Sequence, residues 1–155
     1  MPPATFVRTP RIPALLPLLL LCLSLLPAAA RADMNVLVSG AWVRQPPPGS
    51  DTAAVYLVLH NEGTAAADLV GVECALARTA MLHQSEDRGG VARMRMLTHL
   101  TLKPGDTVEF KPGGMHIMLD GLTRPLAVGQ RVELTLRFAQ GLEMHVTAVV
   151  RPLGG

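Results

Sequence analysis

Short apolar or alternating segments recur along most of the chain, and turn-forming residues separate them. Gly, Pro, Asn and Asp make up these separators, for example at positions 46–49, 103–106 and 112–114. No long stretch has the 3.6-residue period of an amphipathic helix. Many short strands with regular turn signals are typical of an antiparallel sandwich or barrel. The pattern therefore predicts an all-β, Greek-key β-sandwich.

The pattern also gives approximate strand limits. Residues 132–138 alternate strictly between apolar and polar, and the next segment places apolar residues at 144, 146, 148 and 150 on one face, so these two segments predict a closing hairpin around Gly141. A turn is predicted at 87–90. The other predicted strands are 35–44, 53–60, 69–74, 77–84, 91–97, 107–111 and one that contains His116 and Met118.

Several of these strands place sulfur and imidazole side chains on a common face. Side chains two positions apart in a strand point the same way. Met94 is therefore expected to share a face with Met96, and His116 with Met118. By the same rule Met81 is expected beside His83, whereas Met115 points away from His116.

The first thirty-two residues have the composition of a secretory signal. Arg8 and Arg11 precede an apolar run at 14–26, and small residues follow at 28–30. We therefore expect a cleaved signal peptide at 1–32 and a mature domain at 33–155, without a retained transmembrane helix. Cys22 raises the alternative of a lipoprotein, but the bulky Leu21 before it disfavours lipid attachment.

Removing this leader changes the charge and leaves one cysteine. The mature chain has eleven basic and twelve acidic residues, because three of the arginines lie before Asp33. A nearly neutral chain without a basic run disfavours nucleic acid or an anionic membrane as a partner. Cys74 is the only mature cysteine, so no internal disulfide can form, and the length suits a single apolar core.

Two histidines and two methionines stand at a specific spacing in the middle of the chain. Ten residues separate His83 from Met94, twenty-one separate Met94 from His116, and one separates His116 from Met118. Thioethers favour monovalent copper, and imidazole binds several late transition metals. The set predicts a Cu(I) site, which should hold metal at neutral pH and bind it less tightly below about pH 6 as His83 and His116 protonate.

This spacing is similar to the motif of the periplasmic copper chaperones of the PCuAC family. The resemblance extends to the strand at 41–44 with its Pro-rich loop, the strand at 53–61 and the turn at 112–114. It implies a cupredoxin-like fold and a monomeric periplasmic protein that binds Cu(I) through His83, Met94, His116 and Met118. It also implies delivery of copper for cytochrome c oxidase assembly, to the oxidase itself or to its Sco-type assembly factor.

Two positions depart from that family pattern. Ser85 stands where members often have a further methionine, and Met115 stands where they often have an aromatic residue. Neither departure removes a ligand of the motif. Met81 and Met96 are additional candidates beside the metal, although methionine in a strand is more often a core residue.

The remaining candidate residues have structural interpretations. Cys74 is expected to be a buried small apolar residue, and Trp42 an anchor in the core or at an edge. The other histidines are expected at the surface: His60, His99 and His145.

Three alternative functions stay open at the level of sequence, and none of them is enzymatic, since no catalytic constellation stands out. Copper buffering or detoxification would use the same four ligands. A blue-copper electron carrier would need a thiolate, for which Cys74 is the only candidate, and its neighbours lack the expected His and Met ligands. A metal-free β-sandwich interaction module would use the methionines as core.

Overall fold

The structure is a computed structural model that describes residues 33–139 and 141–152. This part of the chain is all-β, as predicted, and it holds no apolar helix long enough to cross a membrane. The expected leader and Cys22 lie outside the described residues. The strands are β1 (Val36–Arg44), β2 (Ala53–Asn61), β3 (Ala67–Glu73), β4 (Ala77–Arg88), β5 (Val91–Leu97), β6 (Leu100–Leu102), β7 (Thr107–Glu109), β8 (Met115–Leu122), β9 (Arg131–Phe138) and β10 (Glu143–Arg151).

The strands form one sheet in which several neighbouring strands are distant in sequence. Their order is β5-β4-β8-β2-β1-β10-β9-β3-β6, and β7 pairs with β2. All pairs are antiparallel except β1 with β10. Neighbours such as β4 and β8 are distant in sequence, which is the connectivity of a Greek-key fold. Because β3 also lies beside β4, the sheet folds back on itself around the core.

The inner face of the sheet carries the apolar core. On β9 the alternation places Val132, Leu134, Leu136 and Phe138 inside, each at most 3% exposed. Val146, Ala148 and Val150 do the same on β10, so the closing hairpin is confirmed. Burial of a side chain such as leucine contributes about 1.5–3 kcal/mol. This core leaves the outer face of the sheet available for a site.

The hairpin of β4 and β5 and the short strand β6 differ most from the prediction. β4 continues to Arg88, beyond the expected end at 84, and its residues from Leu82 to Arg88 pair with the whole of β5. The turn shrinks to Gly89 and Gly90, which both have positive φ, as a two-residue hairpin turn requires. Strand β6 was not predicted, because three residues are too few to show an alternation.

Asn61 is a buried polar residue at the end of β2, one residue beyond the predicted strand at 53–60. Its side-chain Nδ2 donates to the carbonyls of Ala65 at 2.8 Å and Leu102 at 3.0 Å. Its Oδ1 accepts from the Gly63 N–H at 3.0 Å. The amide therefore joins β2 to the loop that follows it and to β6.

Replacing Asn61 by alanine is expected to lower the free energy of unfolding by about 2 kcal/mol, because buried backbone groups lose their partners. Urea denaturation followed by circular dichroism measures the change. Asn35→Ala is the matched control, since Asn35 is exposed, and should change the stability by less than about 0.5 kcal/mol. Equal stabilities of the two variants would contradict the role of Asn61.

Candidate metal centre

Three neighbouring strands bring the predicted ligands together on the outer face of the sheet. His83 of β4 pairs with His116 of β8 on one side and with Met96 of β5 on the other. Met81 pairs with Met118 in the same register. Paired residues of antiparallel strands lie on the same face, about 4.5–5.5 Å apart at Cβ. The face therefore carries Met81, His83, Met94, Met96, His116 and Met118.

The side chains converge on His83. Its Nδ1 lies 3.1 Å from the sulfur of Met94, which reaches across from the position opposite Ser85. The rings of His83 and His116 have centroids 5.7 Å apart and are nearly perpendicular. Two ligand atoms of one tetrahedral ion lie about 3.5 Å apart when the bonds are about 2.0–2.3 Å long. A small adjustment would therefore let His83 and Met94 share one ion.

His116 is the most buried residue of the group. It is 5% exposed, and its Nδ1 lies 3.1 Å from the carbonyl oxygen of Gly114. A carbonyl only accepts hydrogen bonds, so Nδ1–H is the donor and the lone pair is on Nε2. Such a bond fixes the tautomer and the orientation of a ligating imidazole. The turn at 112–114, which the sequence predicted, thus prepares Nε2 of His116 for a metal.

The environment of His83 favours its neutral form. Burial lowers the pKa of His83 below its ordinary value, and the nearby His116 lowers this pKa further. A metal ligand must present an unprotonated nitrogen. At neutral pH His83 is therefore available for a metal without having to lose a proton.

One side of the site is open and the other is closed. Met94 and Met96 are 54% and 59% exposed on β5, which is an edge strand. On the opposite side the ring of Tyr56, on β2, lies 6.5 Å from the ring of His116. Trp42 of β1 lies 4.6 Å beyond Tyr56. Exposure therefore rises across the site from β2 toward β5.

Trp42 and Tyr56 were not predicted as part of this face. Trp42 is half-buried against Tyr56 and carries the guanidinium of Arg151 at 5.3 Å from its ring centroid. The alternation along 53–60 did contain a signal for Tyr56. Tyr56 lies two residues after Ala54 and so points to the same face of the sheet, and Ala54 pairs with Met118. That signal could be used only once the pairing of β2 with β8 was known.

Most of the remaining candidates lie where they were expected. Met115 pairs with Gln84 on the inner face, away from His116. His99 and His145 are exposed. His60 is half-buried rather than exposed, because its Nδ1 bonds with the hydroxyl of Thr107 at 2.8 Å on the neighbouring β7. Among the described residues, no group of three or more His, Cys, Asp or Glu could hold a metal ion.

Cys74 lies far from His83. It follows β3, and its carbonyl accepts a hydrogen bond from the N–H of Ala77, the first residue of β4. His83 is six residues further along β4, which corresponds to about 20 Å. Burial raises the pKa of the half-buried Cys74 thiol. The position and the protonation of Cys74 therefore both disfavour a thiolate ligand at this site, as a blue-copper centre would need.

Comparison with known proteins gives the chain a family. The family described as "Putative lipoprotein LpqE-like" matches residues 36–150. The protein called "Putative lipoprotein Lxx21020" from Leifsonia xyli is 35% identical over 140 residues, which cover 86% of this chain and 82% of the relative. The family and this relative are both called lipoproteins. Lipid attachment at Cys22 is the alternative that the bulky Leu21 disfavours in this chain.

Solved structures give the fold. The solution structure of Cu(I)-bound DR1885 from Deinococcus radiodurans is 36% identical with a TM-score of 0.63, and the match covers 83% of this chain and 85% of that one. The apo PCuAC domain from PmoF1 is 26% identical with a TM-score of 0.65, over 77% and 97% of the two chains. The protein therefore belongs to the LpqE-like family and has the cupredoxin-like β fold of the PCuAC domains.

Proposed function

We propose that this protein is a copper chaperone that binds one Cu(I) ion through His83, Met94, His116 and Met118. The observation that carries the proposal is the arrangement of these residues on one face of three neighbouring strands, centred on His83. The similarity to the Cu(I)-bound DR1885 structure supports the choice of metal.

The ligands suit a carrier, because all four are uncharged when they bind. The ion keeps its positive charge and is held less strongly than in a thiolate site, so release to an acceptor is feasible. Thioethers and imidazoles also do not form disulfides, which matters for a protein that works in an oxidising compartment. The site fits copper carriage better than catalysis, since four ligands leave little room for a substrate.

The place of action and the acceptor follow from the resemblance. We propose that the chain is exported to the periplasm, loses residues 1–32 and acts there as a monomer. The acceptor would be cytochrome c oxidase or a Sco-type factor that assembles it. Mass spectrometry of the exported protein tests the processing: a chain that begins near Asp33 supports cleavage, whereas a lipid-modified chain that begins at Cys22 would contradict it.

A competition titration tests copper binding directly. The protein is titrated anaerobically against the Cu(I) complex of bicinchoninate, and one equivalent of copper should be removed from the chelator. A failure to compete at micromolar protein would contradict the proposal and would favour a metal-free interaction module.

Met118→Leu is expected to weaken Cu(I) binding by about tenfold, because it removes one thioether and leaves the other three ligands in place. Leucine has a similar volume, so the strand should not change. The same competition titration measures the loss. Met144→Leu is the matched control, because Met144 lies on β10 against the core and should leave the affinity unchanged. Equal affinities of the two variants would exclude Met118 as a ligand.

The delivery role needs a test in cells. A deletion strain should lose cytochrome c oxidase activity at limiting copper and regain it with added copper. The gene that encodes the native protein should restore activity, whereas a variant without His116 should not. Normal oxidase activity in the deletion strain at limiting copper would contradict delivery and would favour copper buffering.

A further inference from the structure

Met96 stands next to the site but outside the four-residue motif. It pairs directly with His83 across β4 and β5, whereas Met94 pairs with Ser85 and reaches His83 diagonally. Directly paired side chains in an antiparallel sheet are in contact range. His83 therefore has two thioethers on its β5 side, and the motif uses only one of them.

Met96 also has the most open position. Its side chain is 59% exposed, and β5 has no further strand beyond it in the described sheet. The opposite side of the site is closed by Tyr56, which is 5% exposed, and by the tilted ring of Trp42 packed behind it. Copper bound near His83 and His116 is therefore accessible to another protein from the β5 edge.

We propose that Met96 is the exchange ligand through which Cu(I) enters and leaves the site; this inference rests on the proposed copper function. During release the sulfur of Met96 bonds to copper as the bond to Met118 breaks, and the bond to His116 breaks next. The ion then lies at the edge strand, bound by His83, Met94 and Met96, where a ligand of the acceptor completes its coordination.

This exchange involves no change in oxidation state. Copper remains Cu(I), the thioethers are neutral before and after, and no proton has to move on a methionine. The acceptor must offer a soft ligand, namely a thioether, an imidazole or a thiolate. The β5 edge is the more open approach, because Tyr56 and Trp42 lie on the β2 side of His116.

Met81 is the other thioether on this face that lies outside the four-residue motif, and its position differs from that of Met96. It lies on the same face and pairs with Met118, but it is half-buried on an interior strand. Met81 and Met96 both line a cleft of about 170 Å³. Met81→Leu is therefore the comparison variant, because it removes a thioether from the same face but from an interior strand instead of the open edge.

The experiment compares the dissociation constant for Cu(I) with the rates of copper transfer to and from a chelator. Met96→Leu should leave the dissociation constant for Cu(I) within about threefold, while transfer to and from bicinchoninate slows by about tenfold in both directions. Equal slowing in both directions is required, since the ratio of the rates sets the dissociation constant. Anaerobic stopped-flow absorbance of the chelator complex measures both rates. Met144→Leu, on β10 against the core, should transfer copper at the native rate, and Met81→Leu should slow transfer less than Met96→Leu.

The possible outcomes separate this inference from the function on which it rests. Unchanged rates in Met96→Leu, with Met118→Leu still weaker in affinity, would overturn the exchange role alone. A tenfold loss of affinity in Met96→Leu would also overturn it, because Met96 would then be a resident ligand. If the native protein does not bind Cu(I), both the exchange role and the proposed function fail. Circular dichroism checks that each variant is folded.

Discussion

Replacing His116 by alanine is expected to weaken Cu(I) binding by about 100-fold or more, because loss of a ligand should cost at least as much as loss of a residue that only orients one. His116 is the ligand with the best-defined orientation, since Gly114 holds its Nδ1 and directs Nε2 to the site. It is also the most buried of the four, so water cannot easily replace it. Anaerobic competition titration with bicinchoninate measures the loss.

Two further variants make this result interpretable. His145→Ala is the control, because His145 is an exposed histidine on β10 whose Nδ1 lies 3.2 Å from the hydroxyl of Thr135, away from the site. It should bind copper like the native protein. His116→Gln keeps most of the buried volume and should lose copper to a similar extent as His116→Ala. Native affinity in His116→Gln would exclude His116 as a ligand.

The placement of the candidate ligands on faces could be predicted from sequence because it depends on local alternation. Met94 and Met96 share a face, as do His116 and Met118, whatever strand lies beside them. The neighbours of each strand could not be predicted in the same way. The pairing of β4 with β8 sets His83 against His116, and it depends on long-range contacts that no local pattern encodes.

The same difference explains what the sequence did not reveal. Asn61 has the residue type and position of a turn, and its burial follows only from the approach of β6 and the loop after β2. The closed side formed by Tyr56 and Trp42 likewise depends on β2 lying next to β8 and β1 lying next to β2. The site is open at β5 and closed toward β2 because of the order of the strands in the sheet. The role we propose for Met96 depends on this order.

Acid is expected to weaken Cu(I) binding by about 100-fold or more between pH 7 and pH 4, because protons compete with copper for imidazole nitrogen. The affinity should be constant above pH 7, where His83 is neutral. Burial and the nearby His116 lower the pKa of His83, so protons should begin to compete with copper for His83 at a lower pH than they would for a free imidazole. Below that pKa each competing proton should cost about tenfold per pH unit. Titrations at a series of pH values, corrected for protonation of the chelator, measure the slope.

His83→Met identifies the part of this slope that belongs to His83. The variant keeps a soft ligand on β4 but replaces a titrating imidazole with a thioether, which takes up no proton in this range. Its affinity for Cu(I) should therefore fall less steeply with acid. Below the pKa of His83, the loss of affinity per pH unit should be about tenfold smaller in the variant than in the native protein. Native protein and variant should agree most closely at pH 7 and diverge as the pH falls. An unchanged slope would show that His83 does not bind the metal, whereas a flatter one would place its nitrogen on copper.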